Sequence, residues 1–534
     1  MKSKLCFTIA LMIVCRFCFA QDWKTFPYKP QGSVISFPVD EGRHADEPIE
    51  WWYTSGHLTG ATSGKTYSFM LTYFYYPATT FDGFRILNIS DDATGEFFED
   101  TKPVNYTIMS EDHLDIQAKV FEGGTDSWRN KTDAANNLLP YQYSIKASSA
   151  VVTLDVNSTS LKRPLIVADD GYLPQGLANY TYYYSQTRNS ISGTLKIKGV
   201  TENVTGISWI DRQYGNFNPL TGEKYEWFHM QLSNGMDVNL WNIFTNDNKI
   251  PDNETYRIFS AYVNETTQYT TSDFKIERLG FNIMADSGMS YAAKWRVTSD
   301  INKVDVVIST AHDNTEVTWP FRFFEGATTI SGTVNGNAVT GVGFAELLHD
   351  YHNPELSLKD FNAGIYHPSL PVSWQLLNPD EGRPVTYDLA YSINDKVNFN
   401  QLATGITDTF FVWNAAGLAA GGEKIWFKIT ARSVDGKLTG SAISKSAYSV
   451  NLGQLDDEKI KLYPNPVVDN LFFQPAFMLD NPVCKIIDAN GRVLTIFPAN
   501  SLSDKIDVSL LQKGIYFLQI GSADKKTVLK FFKK

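Results

Sequence analysis

Two stretches decide the fold: Val204-Thr205-Gly206-Ile207-Ser208-Trp209-Ile210-Asp211 and Val339-Thr340-Gly341-Val342-Gly343-Phe344-Ala345-Glu346. Both read Val-Thr-Gly-x-x-aromatic-x-acid. Each follows the same tripeptide, Ser192-Gly193-Thr194 before the first and Ser331-Gly332-Thr333 before the second. Working outward, a further matched pair opens each copy. Glu50-Trp51-Trp52-Tyr53 corresponds to Glu226-Trp227-Phe228-His229, and the latter runs on through Gln231-Leu232-Ser233 into an Asn234-Gly235 hairpin turn. A chain that repeats both its opening and its closing segment carries two diverged copies of one β unit. Between them, runs such as Thr66-Tyr67-Ser68-Phe69-Met70-Leu71-Thr72-Tyr73-Phe74 are aromatic-rich or alternating and are separated by Gly, Asn and Asp turns. Long stretches with 3.6-residue apolar periodicity are missing. The fold is therefore expected to be all-β, with one copy in residues 31–215 and the other in 216–358.

The rest of the 534 residues divides by character. Pro371-Val372-Ser373-Trp374, Thr386-Tyr387-Asp388-Leu389-Ala390-Tyr391 and Lys424-Ile425-Trp426-Phe427-Lys428-Ile429-Thr430-Ala431 are short alternating strands. Their spacing suits a β-sandwich over 366–452. This segment resembles a fibronectin type III module, which implies a spacer. A charged linker, 454–459, leads to Leu462-Tyr463-Pro464-Asn465-Pro466, then Asp488-Ala489-Asn490-Gly491-Arg492, then Lys513-Gly514-Ile515-Tyr516. In that order these elements resemble the C-terminal sorting domain of the bacterial type IX secretion pathway, here spanning 460–534 as a small β-sandwich. At the other end, a basic start (Lys2, Lys4), an apolar run from Leu5 to Val14 and the small Ala20 have the layout of a cleavable signal peptide over 1–20. Secretion or attachment to the outer cell surface follows, with the type IX machinery as a partner.

Charge and cysteine content exclude several function classes. A net charge of −11 leaves no basic stripe for nucleic acid. No segment after the signal is apolar enough for a transmembrane span. Three of the four cysteines (Cys6, Cys15, Cys18) lie in the signal, so Cys484 alone remains in the mature chain; a disulfide within it and a cysteine metal cluster are both ruled out. No metal or cofactor is expected. His349-Asp350-Tyr351-His352 reads as a loop at a domain boundary, and Asp91-Asp92-Ala93-Thr94-Gly95-Glu96 as a hairpin turn too short for a calcium loop. A Gly-x-Ser-x-Gly elbow, a phosphate loop and a dinucleotide fingerprint are all missing.

Residues 31–358 resemble the lipocalin-like family that includes carotenoid 1,2-hydratases (CrtC type) and secreted AttH-type proteins. The resemblance is carried by Glu50-Trp51-Trp52-Tyr53 with Gly56-His57-Leu58, by Tyr182-Tyr183-Tyr184-Ser185, and by Gly206-Ile207-Ser208-Trp209-Ile210-Asp211-Arg212-Gln213-Tyr214-Gly215. It implies two tandem lipocalin-like β-barrels that bind an apolar, isoprenoid- or lipid-like molecule, as a hydratase or isomerase or else as a carrier that leaves the ligand unchanged. Hydrating an alkene needs an acid to protonate carbon, a stabilised carbocation and a placed water. A carboxyl group in an apolar pocket can stay protonated near neutral pH, and aromatic faces stabilise a cation. On this reading Asp211 is the acid, and His57 or His229 poises the water. Trp51, Trp52, Tyr53, Trp209, Tyr214 and Trp227 are the candidate ligand wall. A purely structural role is the alternative: Asp211 recurs as Glu346 and could lock its strand by pairing with Arg212. Trp51 and Trp52 are neighbours on a strand, so they point to opposite faces and at most one lines a pocket.

Overall fold

The computed structural model describes residues 22–217, 221–359, 369–414, 424–449, 461–474, 483–498, 505–521 and 526–534. The signal-peptide reading (1–20) and the charged linker (454–459) lie outside the described residues. Apart from a single 3-10 turn at Val39–Glu41, every described element is a β-strand. Among the described residues no helix is long and apolar enough to cross a membrane. The chain forms two compact units, Met1–Tyr351 with Asp380–Gly382, and His352–Pro379 with Arg383–Lys534.

In the first unit the first copy supplies β1 (Ile49–Gly60), β2 (Thr66–Tyr75), β3 (Gly83–Asp91), β4 (Glu96–Met109), β5 (Asp115–Val120), β6 (Thr125–Thr132), β7 (Leu138–Ser148), β8 (Val152–Ser160), β9 (Leu165–Ile166), β10 (Tyr172–Gln175), β11 (Asn179–Ile197) and β12 (Val200–Asn216). Antiparallel pairing runs β11-β12-β1-β2-β3-β4-β5-β6-β7-β8 and returns from β8 to β11, which closes a barrel. The second copy supplies β13 (Lys224–Leu232), β14 (Asp237–Phe244), β15 (Arg257–Asn264), β16 (Thr267–Thr271), β17 (Lys275–Ile283), β18 (Ser290–Ser299), β19 (Val304–Thr310), β20 (Glu316–Val317), β21 (Phe323–Val334) and β22 (Asn337–Leu347). Its order, β16-β15-β14-β13-β22-β21-β19-β18-β17, repeats the first but stays open between β16 and β17. The two tandem lipocalin-like barrels expected are thus a closed barrel and a half-barrel, and strand length explains the difference between them. Fourteen-residue β4 pairs with β3 up to Val104 and then with β5 from Val104 onward. Its counterpart β16 has five residues and reaches only β15.

Strand alternation sorts each copy into two faces. In the first, Trp52, Leu58, Phe69, Leu71, Tyr73, Leu87 and Ile89 point into the barrel and pack with Trp128, Tyr141 and Tyr143 in one apolar cluster. In the second, Phe228 meets Trp295 edge-on, with ring centroids 4.9 Å apart. Tyr53, Met70, Phe84, Ile86 and Trp209 point out of the barrel and form a second cluster with Trp227, Trp241, Phe323 and Phe344 of the open sheet. The repeated segments thus lie in the strands that join the two copies.

The glutamates of the two opening motifs anchor the inner faces. Glu50, fully buried, accepts hydrogen bonds from Arg43 and Arg212 and from the His44 backbone N–H at 3.0 Å. Burial alone would raise its pKa, but the guanidinium charge of Arg212 and these donors hold it below the ordinary glutamate value. Arg212 also lies 3.9 Å over the Trp52 ring. Glu226 accepts from Arg278 Nη2 at 2.5 Å and from the Tyr351 hydroxyl at 2.8 Å. A charge inside a barrel must be paired, because desolvation costs more than an isolated hydrogen bond returns.

In the second unit, strands Leu356–Leu358, Ser369–Leu376 and Phe410–Asn414 face a second sheet built on Val385–Ser392 and Lys424–Ser433. Between them lies a core of Val372, Trp374, Tyr387, Leu389, Phe427 and Ile429. The described residues between 461 and 534 form two more small sheets around Leu471, Cys484, Leu518 and Phe531.

Removing Arg212 should be severe. Arg212→Met leaves Glu50 buried beside Arg43 alone and should cost about 3–5 kcal/mol of stability, seen as an earlier urea unfolding transition. Arg296→Met, which breaks an exposed pair with Asp305, should leave that transition where it is.

Candidate functional site

The outer faces of β1, β2, β3, β11 and β12 pack on the β13-β14-β21-β22 face of the open sheet, and a cavity of about 300 Å³ remains where their ends meet. Its walls are aromatic. Trp51 and Tyr53 come from β1, Trp227 and Trp241 from β13 and β14, Phe84 from β3, and Trp319 from the segment before β21. Trp51 and Trp227 are the equivalent residues of the two opening motifs, so the duplication supplies one indole from each side. Asp211, Glu346 and Gln213 are the charged and amide residues on this wall, joined by the tyrosines Tyr53, Tyr76 and Tyr225.

Asp211 is 3% exposed and sits on β12 directly across from Tyr53. Its Oδ1 accepts from the Ser185 hydroxyl at 2.6 Å and from the Trp209 indole N–H at 2.7 Å, and its Oδ2 accepts from the Tyr183 hydroxyl at 2.6 Å. Tyr183 in turn receives the Trp227 indole N–H at 2.9 Å and the side-chain amide of Asn239. Burial pushes the Asp211 carboxyl up to about 7, against the pull of its three donors. Arg212, the adjacent residue, faces the other way and bonds Glu50, so the Asp211–Arg212 pair considered from sequence does not form.

Across the cavity, Glu346 receives the Tyr225 hydroxyl and stands beside Glu325, its cross-strand neighbour on β21. Glu325 accepts from the Tyr53 hydroxyl at 2.9 Å through Oε1, while Oε2 has no donor among the described residues. Burial raises both carboxyls, and for Glu325 the nearby Glu346 charge adds to the rise. Two buried carboxyls in contact hold a proton between them. Copy-to-copy register is offset here. Asp211 lies opposite Tyr53, whereas Glu346 lies opposite Trp227, the equivalent of Trp51. A slip of two residues keeps both acids on the shared face but places them at different levels along it.

The remaining residues singled out in the sequence divide by strand parity. Trp209 lies behind the wall as the indole donor to Asp211. Trp52 and Tyr214 face the barrel interior: the Trp52 indole bonds the Glu41 carbonyl at 2.9 Å, and Tyr214 stacks on His44 at 3.5 Å and donates to Asp40. His57 and His229 share the cavity's face but lie farther along their strands, away from its lining. His229 is fully buried, stacks 4.6 Å from Trp209 and shares a hydrogen bond with the Ser55 hydroxyl at 2.8 Å. Burial, then the neighbouring His57, pushes its pKa well below the ordinary histidine value. Burial lowers His57 as well, which keeps both rings neutral. Glycine is required where these strands cross: a Cβ on Gly206 would lie 1.9 Å from the His57 carbonyl oxygen, and one on Gly343 equally close to that of His229. His349 stacks on Phe244 at 3.8 Å and meets Asp380 at 3.3 Å; no group of three potential metal ligands occurs among the described residues. Glu325, Trp241 and Trp319 are not marked in the sequence, because each stands outside the repeated motifs or inside an apolar run; Tyr183 falls in a segment that carries the family resemblance but is given no role there.

A family model described as AttH-like matches residues 28–351, and one for a secretion system C-terminal sorting domain matches 461–534. Among solved structures, that of an AttH-type protein from Nitrosomonas europaea is 23% identical with a TM-score of 0.50, covering 60% of this chain and 98% of that one. Kievitone hydratase from Nectria haematococca is 16% identical with a TM-score of 0.47, covering 61% and 98%. Comparison with curated proteins returned no match. With that fold and those two matches, the chain belongs to the AttH-like family, and its sorting tail marks it for secretion or attachment at the cell surface.

Proposed function

We propose that this exported protein binds an apolar, isoprenoid- or lipid-like small molecule in the cavity between its two sheets and transfers a proton to or from it through Asp211, as a hydratase or isomerase does. One observation carries the reading: a buried carboxyl, pushed up to about 7 by desolvation, lies on the wall of a cavity lined mostly by aromatic rings. A group poised near 7 can both give and take a proton at physiological pH. The three donors around Asp211 would hold its charge once the proton has left, and Trp51, Trp227 and Trp241 would face the positive carbon that protonating an alkene creates. In a hydration the acid proton goes to carbon, water adds to the cation, and the proton lost by that water returns to the carboxylate. His229 and His57, neutral and outside the lining, support the Asp211 region and leave the proton step to the carboxyl.

The full chain, incubated with a lipid and pigment extract of the source cells, should yield a compound that gains the mass of water or is isomerised, read by mass spectrometry. Asp211→Asn should lose that conversion and keep capture of the unaltered compound. Capture without conversion by the unsubstituted protein would make it a carrier, and no capture would sink the reading. The titration itself is also measurable. The folded pKa of Asp211 lies above its unfolded value, so its stabilising contribution is full below about pH 4 and is lost as pH rises through about 7. Relative to Asp211→Asn, the unsubstituted protein should lose stability across that window, by at most about 1.4 kcal/mol per pH unit, in urea unfolding measured at several pH values.

A further inference from the structure

We propose that the ligand of this cavity is a hydrophobic cation, an amine or quaternary ammonium on an apolar chain, with its head held by the aromatic rings and the carboxyls of Asp211 and Glu346. The inference rests on the cavity being a ligand site and adds the charge of what it takes.

Elsewhere in this molecule buried acids are paired with bases. Glu50 has Arg43 and Arg212, Glu226 has Arg278, and Asp126 has Arg85. Asp237 has Lys162 at 2.5 Å and Arg188 at 2.8 Å. Asp211, Glu325 and Glu346 form no such pair among the described residues, and no lysine, arginine or histidine lines the cavity. Glu41 also lacks a base, but it sits in the packed barrel core with Tyr143 on one oxygen and Asn130 on the other. Two carboxyls, Asp211 and Glu346, therefore line one cavity, with Glu325 directly behind Glu346, and none of the three has the counter-charge that buried carboxylates need. With the cavity empty, bound protons fill that role. The Glu325–Glu346 contact and the donorless Glu325 Oε2 are what such a shared proton leaves behind.

The walls point the same way. Four indoles, three phenols and six phenyl rings line the space, a composition that receives ammonium groups through ring faces. An anion would meet only carboxyls here, and a neutral ligand would leave them protonated. A cation could displace those protons and be paired by the charges left. The same field would favour a carbocation formed in place, so the charge preference agrees with the chemistry proposed above.

The test compares decyltrimethylammonium, 1-decanol and decanoate, each below its micellar concentration, binding to the full chain by calorimetry and tryptophan fluorescence. The cation should bind about tenfold or more tighter than the alcohol, and decanoate should bind weakest. Glu346→Gln should erase the preference for the cation while keeping the affinity for decanol, which separates the cavity from general attraction to an acidic protein. Calorimetry of the unsubstituted protein in buffers of different ionisation heat gives a second reading that does not depend on the variant folding. Cation binding should release protons from the carboxyls at the site (Asp211 and Glu346, with Glu325 behind them), the Tyr53, Tyr225 and Tyr183 hydroxyls around them being held protonated by burial, and decanol should release none. Equal affinity for cation and alcohol, or cation binding without proton release, overturns the inference and leaves the cavity a site for neutral apolar ligands. If none of the three probes binds, the cavity reading falls with it.

Discussion

A strand that is buried on both sides has no face to give to water, so every residue in it must be satisfied by protein. Strands β12 and β1 are in that position: one face closes the barrel and the other meets the open sheet. Period-two alternation then separates two kinds of chemistry within a few residues. Glu50, Trp52 and Arg212 turn inward and form a closed ion pair. Trp51, Tyr53 and Asp211 turn outward and meet groups from the second copy. The sequence neighbours Asp211 and Arg212 would neutralise each other in a loop, yet here they serve different interiors. That separation is what leaves Asp211 without a basic partner on the cavity wall.

Duplication explains why the site lies between the copies and not inside either. Both barrel-like interiors are spent on packing and on their own glutamate–arginine pairs. The faces that join the copies come from the opening and closing segments, which is also where the family motifs fall. The first copy alone would carry Trp51 and Asp211, and the second alone Trp227, Trp241, Trp319 and Glu346.

The fold was legible to the extent that it depends on pattern. Repeated Glu-Trp-aromatic and Val-Thr-Gly segments marked two β units, and the Tyr-Pro-Asn-Pro, Asp-x-x-Gly-Arg and Lys-Gly-Ile-Tyr elements marked the tail. Strand parity, applied from Asp211, also assigns Tyr214 to the opposite face, three residues on, and Trp52 opposite Trp51. Depth is what sequence does not carry. His57 and His229 have the parity of the cavity wall but stand too far along their strands to reach it. Glu325 hides in Phe323-Phe324-Glu325-Gly326 as an ordinary strand residue, and only cross-strand pairing places it beside Glu346. The open edge of the second sheet depends on β16 stopping after five residues, a boundary that its Thr-rich sequence does not announce.

The two-residue slip between the copies has a bearing on the ligand's geometry. Perfect repetition would give the cavity a two-fold axis, and a molecule could enter with either end leading at equal energy. The slip moves one acid roughly 7 Å along its strand relative to the paired tryptophans, so the two ends of the cavity are no longer equivalent. Were a molecule with distinguishable ends to bind as proposed, it would have a favoured direction of approach, and the register of hydrogen bonds in the sheet would set which position along its chain meets Asp211.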